Sequence, residues 1–192
     1  MSLARQCALC LLLLPSLAAQ SLVPRLSEGQ IVVTALNLKF LEGKALDRLR
    51  NGQSVAFDFQ LQLLDGTKTL ARSLERFILS YDLWEESYSA VQLTLATPRT
   101  PIYSTARLKG EAVATWCLGR MKLNFAQADK QRTLTLQLEI RSVGAKIQNP
   151  LRPQGSVDLG VLVEIFSRPA DPQGTRFTAQ SQPFTLGSLA TP

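Results

Sequence analysis

Apolar and polar residues alternate with a period of two along most of this chain, which is the pattern of strands that bury one face. The alternation is clearest in residues 132–141 and is repeated in residues 53–63. Asp65-Gly66 follows the second stretch and is typical of a hairpin turn. The side chains predicted to face inward on these two strands are Val55, Phe57, Phe59, Leu61, Leu63, Leu134, Leu136, Leu138 and Ile140.

Further strands are predicted at residues 31–40, at about 69–83, around Val91, Leu93 and Leu95, and at 157–166 and 176–186. The stretch 157–166 is apolar on both faces, which indicates a central strand. Helical spacing of apolar residues predicts helices at 41–50 and 108–118, which end at Asn51-Gly52 and Gly119. Residues 69–76 also fit a helix, but their position after the hairpin turn favours a strand.

These elements predict a mainly β fold. It is an antiparallel β-sandwich-like domain of about seven strands with two short helices, or a sheet with helices packed on it. The domain is predicted to span residues 20–186, with a frayed tail at 187–192. A single domain of this length is large enough to bury a substantial core.

The first 19 residues have the order of a secretory signal peptide. Arg5 precedes an apolar run at residues 7–14, and Pro15 and small residues follow the run. The run is too short to cross a bilayer, which takes about 20 apolar residues. We expect cleavage after Ala18 or Ala19, and a mature protein that is periplasmic or extracellular and has no transmembrane span.

The chain has 192 residues, a net charge of +6 and a pI near 9.5, and its cations are spread along the sequence. Such a surface attracts anionic lipid headgroups, polysaccharide or nucleic acid weakly, or is simply solvated. Of three cysteines only Cys117 lies outside the leader, so no disulfide forms within the mature chain. Beside Trp116 on an apolar helix face, this thiol is expected to be buried.

The sequence contains no histidine, which excludes every type of metal site and active site that depends on an imidazole. Histidine-based metal sites and the Ser-His-Asp and Cys-His hydrolases are excluded, and no nucleotide-binding or nucleophile motif occurs. We therefore predict that the protein is not an enzyme and holds no cofactor or metal. Two paired carboxylates, as in glycosidases, are the remaining catalytic arrangement.

One predicted hairpin end combines aromatic residues with the only tight acidic cluster of the chain. Aromatic faces flanked by carboxylates bind sugars or cationic groups. Aromatic packing across a hairpin and solvated acids at a turn explain the same pattern. The residues of this hairpin are Tyr81, Asp82, Trp84, Glu85, Glu86 and Tyr88.

Lys68, Arg72 and Arg76 recur every four residues and are predicted to share one strand face. They form a candidate basic stripe for an anionic partner. Charges that protect an edge strand from pairing would have the same spacing. No aromatic ladder alternates with these cations, so nucleic acid is not the predicted partner.

Three stretches of the chain carry a resemblance to a known family. They are Ala45-x-x-x-Leu49-x-Asn51-Gly52-x-x-Val55-x-Phe57, Leu79-x-Tyr81 followed by Tyr88, and residues 141–153 ending in Pro-Leu-Arg-Pro. Together they resemble a family of exported bacterial proteins of unknown function, described as proline-rich signal-peptide proteins. The resemblance covers most of the mature chain. It implies a signal peptide followed by one domain, with no assigned activity or catalytic residues.

The function expected from these patterns is a non-enzymatic binding or adaptor module of the bacterial cell envelope. It would recognise another envelope protein through strand edges or loops. The alternative is a carrier of an apolar ligand such as a lipid, in which the helix bearing Trp116 covers a cavity against the sheet. A third function is a carbohydrate-binding or carbohydrate-active protein, with polysaccharide bound at the hairpin of residues 81–88.

Overall fold

The computed structural model of the chain describes residues 21–35, 38–93, 101–125, 129–143 and 174–189. The predicted leader and the predicted central strand at 157–166 lie outside the described residues. The described part holds nine strands and three short helices. In chain order they are β1 (Ser21–Ser27), β2 (Gln30–Ala35), α1 (Gly43–Arg50), β3 (Val55–Asp65), β4 (Lys68–Asp82), β5 (Ser87–Leu93), β6 (Pro101–Leu108), α2 (Gly110–Leu118), β7 (Lys122–Leu123), β8 (Thr135–Ser142), β9 (Arg176–Ser181) and α3 (Leu186–Leu189).

The strands form one sheet in the order β6-β5-β4-β3-β8-β9-β1-β2-β7. Neighbouring strands run antiparallel except for β1 and β9, which are parallel over a short contact. The sheet curls into a half-barrel rather than forming two packed sheets. The predicted mainly β class is therefore confirmed, and of the two architectures considered the structure has a sheet with helices packed on it.

β3 is an interior strand of the described sheet, because it pairs with β4 along one side and with β8 along the other. Its predicted inward residues, from Val55 to Leu63, are at most 1% exposed. Leu134, Leu136, Leu138 and Ile140 of the β8 region are equally buried. Both period-two predictions are thus confirmed, and Gly66 has the positive φ of 58° that the hairpin turn requires.

Aromatic rings connect the helical side of the molecule to the concave face of the sheet. Phe40, just before α1, meets Phe57 and Phe59 edge-on with ring centroids 5.2 and 5.3 Å apart. Phe59 meets Phe77 at 4.9 Å, and Phe77 meets Trp116 of α2 at 5.9 Å. Edge-to-face pairs contribute about 0.5–1.5 kcal/mol each beyond the burial of their area, so this chain of rings holds both helices against β3 and β4.

The opposite face of the central strands carries buried charge, which the simple alternation of apolar and polar residues does not predict. Arg76 of β4 forms two hydrogen bonds to Asp58 of β3, from Nε to Oδ1 at 2.6 Å and from Nη2 to Oδ2 at 2.8 Å. The two side chains are 7% and 2% exposed. Glu139 and Arg141 form a second buried pair on β8. The polar residues on this face are therefore part of the interior.

Several boundaries differ from the prediction for local reasons. β2 ends at Ala35, and residues 38–40 turn inward to bring Phe40 into the core instead of continuing the strand. Of the predicted tail at 187–192, residues 187–189 belong to α3, where the Gly187 amide donates to the carbonyl of Lys130, and residues 190–192 lie outside the described residues. The strands β1, β6 and β7 were not predicted.

The core face of β5 is not the one that carries Val91 and Leu93, the apolar residues that predict this strand. Tyr88, Ala90 and Gln92 are buried on the core face, whereas Val91 and Leu93 lie opposite Ile78 and Arg76 on the other face. The polar Gln92 on the inner face hid this alternation in the sequence.

No helix within the described ranges combines the length and the apolar character needed to cross a bilayer.

The buried ion pair generates a stability prediction. Asp58→Asn leaves the Arg76 guanidinium buried without its counter-ion, and we expect a loss of about 3–5 kcal/mol in the free energy of unfolding. The double variant Asp58→Leu/Arg76→Met removes both charges and should recover most of that loss. Urea unfolding measures all three proteins.

The matched control is the pair between Arg132 and Asp65, which is 2.7 Å long with side chains 53% and 33% exposed. Asp65→Asn should cost less than about 1 kcal/mol. Equal losses for Asp58→Asn and Asp65→Asn would contradict the assignment of Asp58 to a buried pair.

Glu75 generates a pH prediction. Burial raises the pKa of its carboxyl above the usual value, and the hydrogen bond donated by Gln92 at 3.0 Å opposes that shift. A raised folded-state pKa means that the stabilising contribution is complete below the unfolded pKa of about 4.3 and is lost as the pH rises through the folded value. Glu75→Gln should therefore be more stable than the wild type near pH 7, and the difference should shrink as the pH falls. Urea unfolding from pH 4 to 7.5 measures it, and a difference that grows toward acid pH would refute this account.

Candidate functional site

The turn between β4 and β5 projects two apolar side chains into solvent. Asp82 Oδ1 accepts hydrogen bonds from the amides of Trp84 at 2.8 Å and Glu85 at 3.1 Å, which fixes the shape of the turn. Leu83 is 57% exposed and Trp84 is 96% exposed. The turn is thus locally ordered, and the indole is almost fully exposed with respect to the described residues.

The two tyrosines predicted at this hairpin lie below the turn and are separate from Trp84. Tyr81 and Tyr88 are directly opposite across β4 and β5, with ring centroids 4.8 Å apart. Tyr88 is only 9% exposed. Its burial, and to a smaller degree Tyr81, raise the pKa of its phenol, whereas the positive charge of Arg50 lowers it. The predicted aromatic set therefore divides into a packed tyrosine pair and an exposed tip.

The acidic residues of the hairpin bind parts of the protein itself. The Asp82 carboxylate accepts the turn amides, and Glu85 Oε2 lies 3.2 Å from Arg107 Nε at the end of β6. Lys109 Nζ donates to the carbonyls of Glu85 and Glu86, both at 3.3 Å. Glycosidases hold two carboxylates about 5–10 Å apart across a cleft. Here the acids stand on an exposed turn, which gives the carbohydrate function no support.

Backbone conformation is unusual on both sides of this corner. Glu86 has a φ of 47° and Arg107 a φ of 60°, in the left-handed region that favours glycine. Arg107 lies where the register between β5 and β6 shifts, with Tyr88 opposite Leu108 and Ala90 opposite Thr105. Bulges of this kind re-aim side chains at sheet edges, and strained non-glycine residues cluster at functional sites.

β6 is the end strand of the sheet built by the described residues, so the backbone groups on its outer side have no neighbouring strand within that sheet. Tyr103 on β6 is 55% exposed, and the Arg120 guanidinium lies 5.3 Å from its ring centre and 3.7 Å from that of Trp116. Among the large apolar side chains of the described part, Leu83, Trp84 and Tyr103 are the most exposed. We call the turn 83–86 together with β6 the hairpin–edge surface.

The sequence contained a signal for this edge that the prediction missed. Residues 101–105 read Pro-Ile-Tyr-Ser-Thr, which is rich in the residue types that favour strands. Proline is tolerated at the first position of a strand, so Pro101 is compatible with a strand that begins there.

The predicted basic stripe does not form. Lys68 and Arg72 are exposed, but the Arg76 guanidinium is buried on Asp58. A bulge interrupts β4 between Thr69, which pairs with Leu64, and Ala71, which pairs with Leu63. The bulge turns Lys68 to the face of the sheet opposite to that of Arg72. The spacing of four residues therefore places three cations in three different surroundings.

The position of α2 bears on the predicted apolar carrier. Trp116 packs against Phe77 and Arg120, so this part of the helix meets the protein's own side chains rather than a cavity. Cys117 is fully buried, and burial raises the pKa of its thiol. Among the described residues, no group of three histidine, cysteine, aspartate or glutamate side chains is placed to hold a metal ion.

Comparisons of the chain with family models, with curated proteins and with solved structures find no match. The resemblance drawn from the sequence therefore stays a prediction.

Proposed function

We propose that this protein is an exported, non-enzymatic binding module that docks on another protein of the cell envelope through the hairpin–edge surface. The observation that carries the proposal is the 96% exposure of Trp84 at the tip of an ordered turn. Tryptophan is the residue type most enriched among interface positions that dominate binding energy. An indole held in solvent has no role in the stability of the fold.

The adjacent edge strand supplies the second half of the surface. The ion pair between Glu85 and Arg107 joins the turn to the end of β6, so the exposed tip and the end strand of the described sheet form one corner. An extended segment of a partner can pair with the backbone of β6 while an apolar side chain meets Leu83 and Trp84. Main-chain hydrogen bonds then give affinity, and the tip gives specificity.

The export half of the proposal rests on the order of residues in the leader. Arg5, the short apolar run and the small residues before position 20 together suit a signal peptide. An envelope protein is therefore the partner class to test first, with lipid or polysaccharide as alternative outcomes.

The test uses a photo-crosslinking amino acid at position 83 or 104 in cells of the native host. Position 26 is the control, because Leu26 is also exposed but lies on β1, away from the surface. We expect one discrete protein adduct from positions 83 and 104 and none from position 26. Adducts of the same pattern from all three positions would contradict a specific surface, and adducts with lipid or polysaccharide alone would reject a protein partner.

Trp84→Ala supplies the energetic test. Because the side chain is exposed, the free energy of unfolding should change by less than about 0.5 kcal/mol. Removal of an interface residue worth about 2 kcal/mol should weaken partner binding roughly 30-fold. Arg72→Glu is the control for the basic stripe and should leave binding unchanged. Loss of binding by Arg72→Glu, with none by Trp84→Ala, would place the interface elsewhere.

A further inference from the structure

A buried side-chain amide on β5 has one hydrogen bond and one atom without a partner. Gln92 is only 4% exposed, and its Nε2 donates to Glu75 Oε2 of β4 at 3.0 Å. Its other polar atom, Oε1, is shielded from solvent and accepts no hydrogen bond from any described residue. A buried acceptor without a donor destabilises a fold. The core face therefore carries an acceptor that is not satisfied by the groups around it.

Glu75 is the neighbour that can supply the missing donor. An ionised carboxylate only accepts hydrogen bonds, whereas a protonated carboxyl has one O–H donor and still has an oxygen that accepts. The ionised form of Glu75 therefore satisfies Gln92 Nε2 and leaves Oε1 without a partner. The protonated form matches both ends of the amide, because its O–H donates to Oε1 while its second oxygen accepts from Nε2.

The strands on either side of Glu75 bring no competing charge to it. β5 contains no charged residue. Arg72 and Arg76 of β4 lie on the opposite face of the sheet, because alternate residues of a strand face opposite ways. On β3, Asp58 pairs with Arg76 on that opposite face, and Asp65 lies at the far end of the hairpin in an ion pair of its own.

The elements on the core side bring no ion pair to Glu75 either. Arg48 is the one half-buried charge of α1 and donates from Nε to a glutamine, and Arg120, after α2, lies against two aromatic rings. Lys122 of β7 and the other charged residues of α1 and α2 are exposed. Among the described residues none of these groups forms an ion pair with Glu75. Burial, which raises the pKa of the Glu75 carboxyl, and the bond from Gln92 are thus the influences on its proton.

The two side chains lie where the strand β6 begins. Gln92 is directly opposite Phe77 on β4 and Tyr103 on β6. The register between β5 and β6 shifts between Gln92 and Leu93. Backbone pairing is disrupted at such a shift, so the side-chain contact between β4 and β5 is placed beside an irregular part of the sheet.

We propose that Glu75 and Gln92 form a proton-sensitive acid–amide pair, in which a proton taken up by the Glu75 carboxyl becomes the donor that Gln92 Oε1 lacks. The proton comes from solvent, which reaches Glu75 because this residue is only half-buried. The protonated pair joins β4 and β5 by two hydrogen bonds, and the ionised pair joins them by one. Acid therefore tightens the sheet where β6 begins, whether or not the hairpin–edge surface binds a protein.

Carboxyl carbon NMR of the purified mature protein measures the pKa of Glu75, and Glu75→Gln identifies its signal. The test variant is Gln92→Met, which has a similar volume and lacks both amide atoms. We expect the pKa of Glu75 to fall by about one unit in this variant, a tenfold loss of proton affinity, because the protonated form loses two hydrogen bonds and the ionised form loses one. A pKa that rises or stays the same would overturn the proposal, since Gln92 would then not favour the protonated form.

Gln53→Met is the matched control, because Gln53 is an exposed glutamine that bonds to Arg48 and not to a carboxyl. It should leave the pKa of Glu75 unchanged.

A second measurement uses the unaltered chain. The side-chain carbonyl carbon of Gln92 should move downfield as Glu75 gains its proton, because accepting a hydrogen bond deshields a carbonyl carbon. The signal of Gln53 should not follow that titration. An upfield movement of the Gln92 signal, or none, would mean that Oε1 gains no donor and would overturn the acid–amide pair.

Discussion

The chain of edge-to-face aromatic contacts from Phe40 through Phe57, Phe59 and Phe77 to Trp116 is the interaction on which the rest of the structure depends. A strongly twisted sheet of nine strands must cover its apolar concave face, and here the two helices do so through these rings. Phe77 in this chain of rings lies on β4, the strand that leads into the turn carrying Trp84.

The two faces of the central strands are stabilised by different physical means. On the concave face, burial of apolar area and ring packing dominate. On the other face, Asp58 and Arg76 satisfy each other in a pair that is nearly free of solvent. Such a pair contributes little net stability but makes a shifted strand register costly, because a shift would leave both charges buried alone. β3 and β4 are thereby kept in one register along most of their length.

Much of this architecture follows from periodicity, and the exceptions have identifiable causes. The strands around Phe57 and Leu138 alternate cleanly because one face is apolar and the other is polar. In β5 the apolar Val91 and Leu93 lie away from the core, and the polar Gln92 occupies a buried position on the core side, so the core face cannot be identified from polarity alone. The stripe of Lys68, Arg72 and Arg76 failed because a bulge and a cross-strand partner are tertiary features that spacing does not encode. At the candidate site, the turn and Trp84 were visible in the sequence, whereas the neighbouring edge of β6 depends on the order of the strands in the sheet.

The described strands form a half-barrel in which β3 is an interior strand, β6 is an end strand and Trp84 is an exposed tip. Native-state amide hydrogen exchange tests this most directly, since it reports the free energy of opening at each residue. We expect the amides of residues 57–63 in β3 to exchange only through global unfolding. The amides of residues 103–107 in β6 and 83–86 in the turn should exchange at least about a hundredfold faster, through local opening. Equal protection of β6 and β3 would mean that the edge is covered, and it would contradict the account.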